Sequence, residues 1–501
     1  MFRNRLSFQA IAILVVLVGV SACSKAEEPR SEAPATHQNT KIPITTASEE
    51  ARKEFLAARD LAERLLLTES IAHYDKAISL DPKFALAELN RAGVSATGNE
   101  FFEHLAKAVS LAGGASNGER LLILATEAGT NNNTQKQKEY FDQLGAAYPN
   151  DERAHFNIGG YYFGQQDFPK AIEHYKKATE LAPTYSPAFN ILGYAYRQNG
   201  DYPNAEQAFK KYIELIPNDP NPYDSYAELL LKTGKFDESI EQYRKALSVD
   251  TNFIASHSGI AAALMYAGKP AEAAAELKKI TEKARNDGEQ RIATFGLIVL
   301  AVDSGKMSDA LAQVDKQYAL GEKTKDIPAM AGDLQLKGNI LVEAGKPDEA
   351  RAQFEQSLKI TEGSNLSPQI KDNARVVHHQ NLGRVSLEKK DLAGAKTHAE
   401  AFLKGAETGG NPLQIRQAHT LAGMIALQEK DYDKAIAELE KGNQQDPAVL
   451  YRACLAHSAK GDNAKAKELC TSAAGFNSLP QMNYAFVRTK AKKMADKIKA
   501  T

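Results

Sequence analysis

Three prolines, Pro149, Pro183 and Pro217, stand 34 residues apart, and a repeat of fixed period constrains a fold more tightly than any local propensity. Each follows by five residues a position that touches a neighbouring helix: Leu144, Ala178 and Tyr212. Earlier in the units a small residue precedes an aromatic one by four positions, Ala171 with Tyr175 and Ala205 with Phe209. Earlier still come Ile158-Gly159 with Tyr162, and Leu192-Gly193 with Tyr196. The phase continues without the proline through Tyr226-Ala227, Leu230, Gly234, Ser239, Tyr243 and Ala246, then through Ile260-Ala261, Leu264, Gly268, Ala273 and Leu277. Residues four apart share one face of a helix, so each unit reads as two helices. The small residue lets the axes approach and the aromatic fills the space beside it. Gly200, Gly234 and Gly268 fall where a first helix should end. One such pair leaves an apolar face that only the next pair can cover.

The pattern resembles the tetratricopeptide repeat, a 34-residue helix–turn–helix with small residues where its helices touch. The resemblance implies an all-α fold, a right-handed superhelical α-solenoid. Looser units lie around Tyr74, Ala77 and Pro82, and around Leu105 and Ala108. Others follow at Gly305 with Ala310, Gly345 with Ala350 and Phe354, Leu382-Gly383 with Ala395, Ala422-Gly423 with Leu439, and Gly461 with Ala466 and Ala473. About 11 units therefore occupy residues 49–475. Residues 476–501 read as a C-terminal capping helix, in which Tyr484, Phe486, Val487, Ala491 and Met494 alternate with Arg488, Lys490, Lys492, Lys493 and Lys497. Solenoids need such a cap for solubility, although a basic amphipathic helix also suits a membrane or nucleic acid.

The amino terminus carries an address. Arg3 and Arg5 precede an apolar run from Ala10 to Val20, long enough for a signal-peptide core and short of the roughly 20 residues a spanning helix needs. The run ends in Val20-Ser21-Ala22-Cys23, which resembles the lipobox of bacterial lipoproteins. That resemblance implies removal of residues 1–22 and acylation of Cys23, giving a membrane-attached protein. The other reading is an ordinary secretory signal cleaved near Ala22. Ser24 after the cysteine implies sorting to the outer membrane, facing the periplasm. Residues 23–48 are rich in Ala, Glu, Pro, Ser and Thr and poor in large apolar side chains, so a flexible tether is expected. Its reach is roughly 25–30 Å.

Composition excludes several classes. Acidic and basic residues number 63 and 62, a net charge of -1, without the basic excess of nucleic-acid binders. No phosphate-binding glycine loop, metalloprotease helix, nucleophile elbow or paired Cys-x-x-Cys is present. His155, His257, His379 and His419 occupy one inward first-helix position where other units carry Phe189 or Tyr223, and are read as packing groups. No catalytic residue, cofactor or metal site is expected, and the chain is read as a non-enzyme.

Surface remains. First-helix positions beside the packing residues give Asn190, Tyr194, Arg197, Asp224 and Glu228, and farther along Asn339 and Arg384. Polar groups mixed with tyrosine suit an extended peptide. The expected function is a membrane-anchored scaffold binding an envelope protein or peptide, with no nucleic-acid partner. The alternative is a lipoprotein that captures a peptide or sugar for an outer-membrane importer. Two cysteines remain besides Cys23. Cys454 takes the place of Gly423, and Cys470 that of Leu439 on the facing helix. Export into an oxidising compartment would join them as a disulfide, while the same placement also suits two buried thiols.

Overall fold

The computed structural model describes residues 41–498. The expected signal segment, Cys23 and the tether as far as residue 40 lie outside the described residues, as do 499–501. The described residues form 25 α-helices and one three-residue 3-10 helix, with no strand among them. In order the helices count as twelve successive pairs, in ten of which the two helices pack against each other, and a last single helix, Met482–Lys497. That is one pair more than the repeat pattern suggested. The second pair, Ala85–Gly93 with Gly98–Leu111, is the unit around Leu105 and Ala108, and its first helix has only nine residues.

The chain divides into two compact units. Among the described residues the first runs to Tyr226 and includes Asn365–Ile370; the second holds Ala227–Ser364 and the residues from Lys371 onward. In both, the small-residue rule has a direct structural cause. A Cβ on Gly193 would stand 2.7 Å from the ring of Phe209, and one on Gly159 would stand 2.7 Å from Tyr175. The helices approach so closely that only glycine fits. Turns follow from backbone chemistry as well. Gly234 takes φ +78, and the Lys235 N–H donates to Leu230 O at 2.9 Å, closing the first helix in the left-handed conformation that glycine adopts without strain. Asp167 and Asp201 then cap the second helices, accepting from the N–H groups of Lys170 and Asn204.

In the first unit the end of the expected tether is not free. Residues 41–47 are extended and bound along the ends of three successive first helices. Asp81 accepts from the Ala47 N–H at 3.0 Å, Glu119 from the Thr45 N–H at 2.8 Å, and Asp151 from the Ile42 N–H at 2.8 Å. Lys41 adds an ion pair with Glu152. The tether expected to reach residue 48 is thereby corrected: its backbone donors find carboxylate acceptors, which composition alone does not register.

In the second unit the last helix does more than cap. Met482–Lys497 packs on Pro447–Lys460 and Asn463–Ala474, and also on Asp287–Asp303. Its apolar Tyr484, Phe486, Val487 and Ala491 are buried. Arg488 donates from Nε to Asp303 at 2.6 Å and lies 5.3 Å above the Tyr266 ring. Lys490 pairs with Glu343 at 3.1 Å. The expected solvated cap is corrected to a helix that returns to earlier repeats, where acidic helix ends receive its basic face. Beneath it Cys454 and Cys470, both fully buried, form a disulfide with Cα atoms 5.4 Å apart.

Candidate peptide-binding face

The first helices of the first unit meet one another on the inner side. Asn190 Oδ1 accepts from Ser225 Oγ at 3.0 Å, 35 residues away. Tyr194 packs its ring against Phe209 edge-on, 5.1 Å between centroids, and the Arg197 guanidinium lies 4.6 Å above the Tyr194 ring. Asn190, Tyr194 and Asp224 retain 1%, 6% and 1% of their surface. Glu228, in the second unit, retains 3%. These four were expected to be exposed, and that expectation is corrected. Asn190 and Ser225, on neighbouring first helices, come within hydrogen-bonding distance, so the Asn190 side chain is spent on a contact inside the fold. Arg197 is the half-buried member of the set. Farther along, Arg384 donates to Asn339 Oδ1 at 2.5 Å, the same kind of link between repeats.

A second constellation in the first unit joins its first pair of helices to later ones. Glu63 pairs with Arg153, whose guanidinium donates to the Tyr185 hydroxyl at 3.1 Å and lies 4.7 Å above that ring. Arg64 Nε donates to Asp219 at 2.5 Å. Burial pushes the Asp219 carboxyl up and outweighs the opposing pull of Arg64. Nothing in the sequence pattern marks these residues, because Glu63 and Arg153 are 90 positions apart.

The histidines read as packing groups contact the second helix of their own repeats, and each also has a hydrogen-bonding partner there. His257 is buried at 5% exposure, whereas His155, His379 and His419 are only half-buried and face the second helix of their own repeat. The partner lies 19 residues on: His155 with His174, His257 with Glu276, His379 with His398 and His419 with Glu438. Burial pushes the Glu276 carboxyl up, but hydrogen bonds from His257 and Lys279 prevail and hold it low. The offset of 19 is visible in the sequence once the phase of the repeat is known. Among the described residues no group of three or more His, Cys, Asp or Glu converges as a metal-ligand set, and no helix is long and apolar enough to cross a membrane.

No curated protein matches the chain. Among solved structures, the MamA protein is 24% identical over 33% of this chain and 91% of its own, with a TM-score of 0.28. A tetratricopeptide repeat protein from Parabacteroides merdae is 16% identical over 54% and 98%, with a TM-score of 0.37. PilW, a widely conserved type IV pilus biogenesis factor, is 16% identical over 44% and 92%, with a TM-score of 0.32. Family profiles speak more directly. A tetratricopeptide repeat-like domain matches residues 255–374, and tetratricopeptide repeats match 152–185, 174–207, 221–253 and 417–449. The matches at 152–185 and 221–253 each span one pair of helices, so the sequence period and the packing give one answer: the chain contains tetratricopeptide repeats.

Proposed function

We propose that the chain is a non-enzymatic scaffold of the bacterial cell envelope, held at the membrane by an acylated Cys23, that binds an extended segment of a partner protein along the first helices of its repeats. Tetratricopeptide repeats support a protein–protein interaction scaffold in general. The anchor and the outer-membrane location rest on the Val20–Cys23 pattern.

One observation carries the peptide-binding reading: the course of residues 41–47. Three repeats in succession each supply one carboxylate, Asp81, Glu119 and Asp151, to a backbone N–H of an extended segment. Recognition through backbone donors tolerates varied side chains, and the spacing of the repeats fixes the register. Arg197, half-buried on the last turn of Ser186–Gln198, carries a cationic head of the kind that pairs with an acidic side chain.

Two experiments test the proposal. Arg197→Glu should lower recovery of the partner from native envelopes at least fivefold, with helical content and melting temperature retained. Unchanged recovery would remove this face from the reading. Cys23→Ser should move the protein out of the detergent phase, and normal lipid mass and fractionation of that variant would remove the anchor.

A further inference from the structure

Four repeats hold a histidine on the first helix against a residue 19 positions later on the second. In two of them the partner is a carboxylate, Glu276 for His257 and Glu438 for His419. There the imidazole faces a carboxylate, at 2.5 Å and 2.7 Å respectively. In the other two the carboxylate is replaced by a second histidine. His155 Nδ1 stands 3.1 Å from His174 Nδ1, and His379 Nδ1 stands 3.1 Å from His398 Nδ1. Two imidazoles facing nitrogen to nitrogen lack a negative partner, and their adjacent nitrogens could both serve one shared cation.

The His155 ring shows which cation. Its Nε2 lies 2.9 Å from the Pro149 carbonyl oxygen, an acceptor only, so the ring proton sits on Nε2 and donates there. Nδ1 therefore carries the lone pair, 3.1 Å from His174 Nδ1. A ring N–H held by a carbonyl, with the opposite nitrogen free to coordinate, is the usual support of a metal-binding histidine. Nitrogens bound at about 2.0–2.1 Å and separated by 90–109° at the metal stand about 2.9–3.4 Å apart, and the observed 3.1 Å lies within that span. Tyr162 stacks on the His174 ring at 5.5 Å with an 18° interplanar angle, fixing its orientation.

We propose that His155 and His174 form a site for a divalent transition-metal ion, filled in the remaining positions by water, and that His379 and His398 repeat it. Imidazole ligands and the Irving–Williams order favour Cu²⁺ over Zn²⁺ and Ni²⁺. Without metal, the His174 Nδ1–H donates to His155 Nδ1. On binding, that proton passes to His174 Nε2 and both Nδ1 lone pairs bond the ion, so no net proton is released. The ion would clamp the helix Glu152–Gly164 to Phe168–Leu181 within one repeat.

The test titrates the full chain with CuCl₂ in a non-coordinating buffer, followed by calorimetry and electron paramagnetic resonance. The wild type should bind two Cu²⁺, each with hyperfine structure from two nitrogens. His174→Gln should lose one site, and His174→Gln with His398→Gln both, at least tenfold weaker in affinity. Metal should raise the melting temperature of the wild type and leave that of the double variant unmoved. Should the substitutions disturb folding, the wild-type spectrum still decides: coordination by fewer than two nitrogens overturns the proposal. Unchanged stoichiometry and affinity in a folded double variant overturn it equally.

Discussion

Reducing the Cys454–Cys470 bond isolates one term of stability without changing a side chain. The bridged residues are 16 positions apart, and the chain-entropy treatment assigns a loop of that size about 3 kcal/mol. In a solenoid the loss should stay local, because stability is approximately a sum over repeats and their interfaces. The final pair, Pro447–Lys460 with Asn463–Ala474, would feel it directly, and the first unit would not. Native-state hydrogen exchange reads such local openings. At about 3 kcal/mol, amides of these two helices should exchange on the order of 100-fold faster in reduced than in oxidised protein, with protection in residues 152–215 unchanged. Cys454→Ala with Cys470→Ala should reproduce the reduced pattern. Equal exchange in oxidised and reduced protein would refute the reasoning, meaning that the last helix pair is held by packing alone.

Three further outcomes are expected. Arg488→Met keeps apolar volume but strips Asp303, whose side chain is 5% exposed, of its partner; a loss of about 3 kcal/mol should appear in urea unfolding, with faster proteolysis between residues 475 and 481. Gly193→Ala gains about 1 kcal/mol of helix propensity but drives a Cβ to within 2.7 Å of the buried Phe209 ring; overpacking of about 1–3 kcal/mol should prevail, so that calorimetry finds the variant less stable and Phe209→Leu restores it. Burial and then a neighbouring His379 lower His398, as burial and His155 lower His174. Their unfolded states therefore bind more protons, and the stability present above about pH 6.5 is lost as pH falls through the folded values. The melting temperature should drop from pH 7 to pH 5, less steeply in His398→Gln; an identical slope would contradict the assignment.

The 34-residue period determined the class of the fold by itself, since Gly159 and Gly193 mark helix contacts and Gly234 marks a turn wherever they recur. Those features are local: a turn needs a positive φ, and two helices of one pair need a small residue at their crossing. The same logic placed Cys454 opposite Cys470, one step along from Gly423 and Leu439, whose close contact the structure shows in the preceding repeat. What lay beyond the sequence were relations between repeats. Exposure of Asn190, Tyr194, Asp224 and Glu228 depended on how near the first helices of successive units come, which no single-repeat pattern encodes. The carboxylates Asp81, Glu119 and Asp151 had ordinary local roles until an extended segment lay across them, and Arg488 read as a solvated charge until its helix returned to Asp303. Periodicity reports which face of a helix is apolar. Only the tertiary structure decides what that face, and its polar edge, will meet, because the partner lies tens to hundreds of residues away.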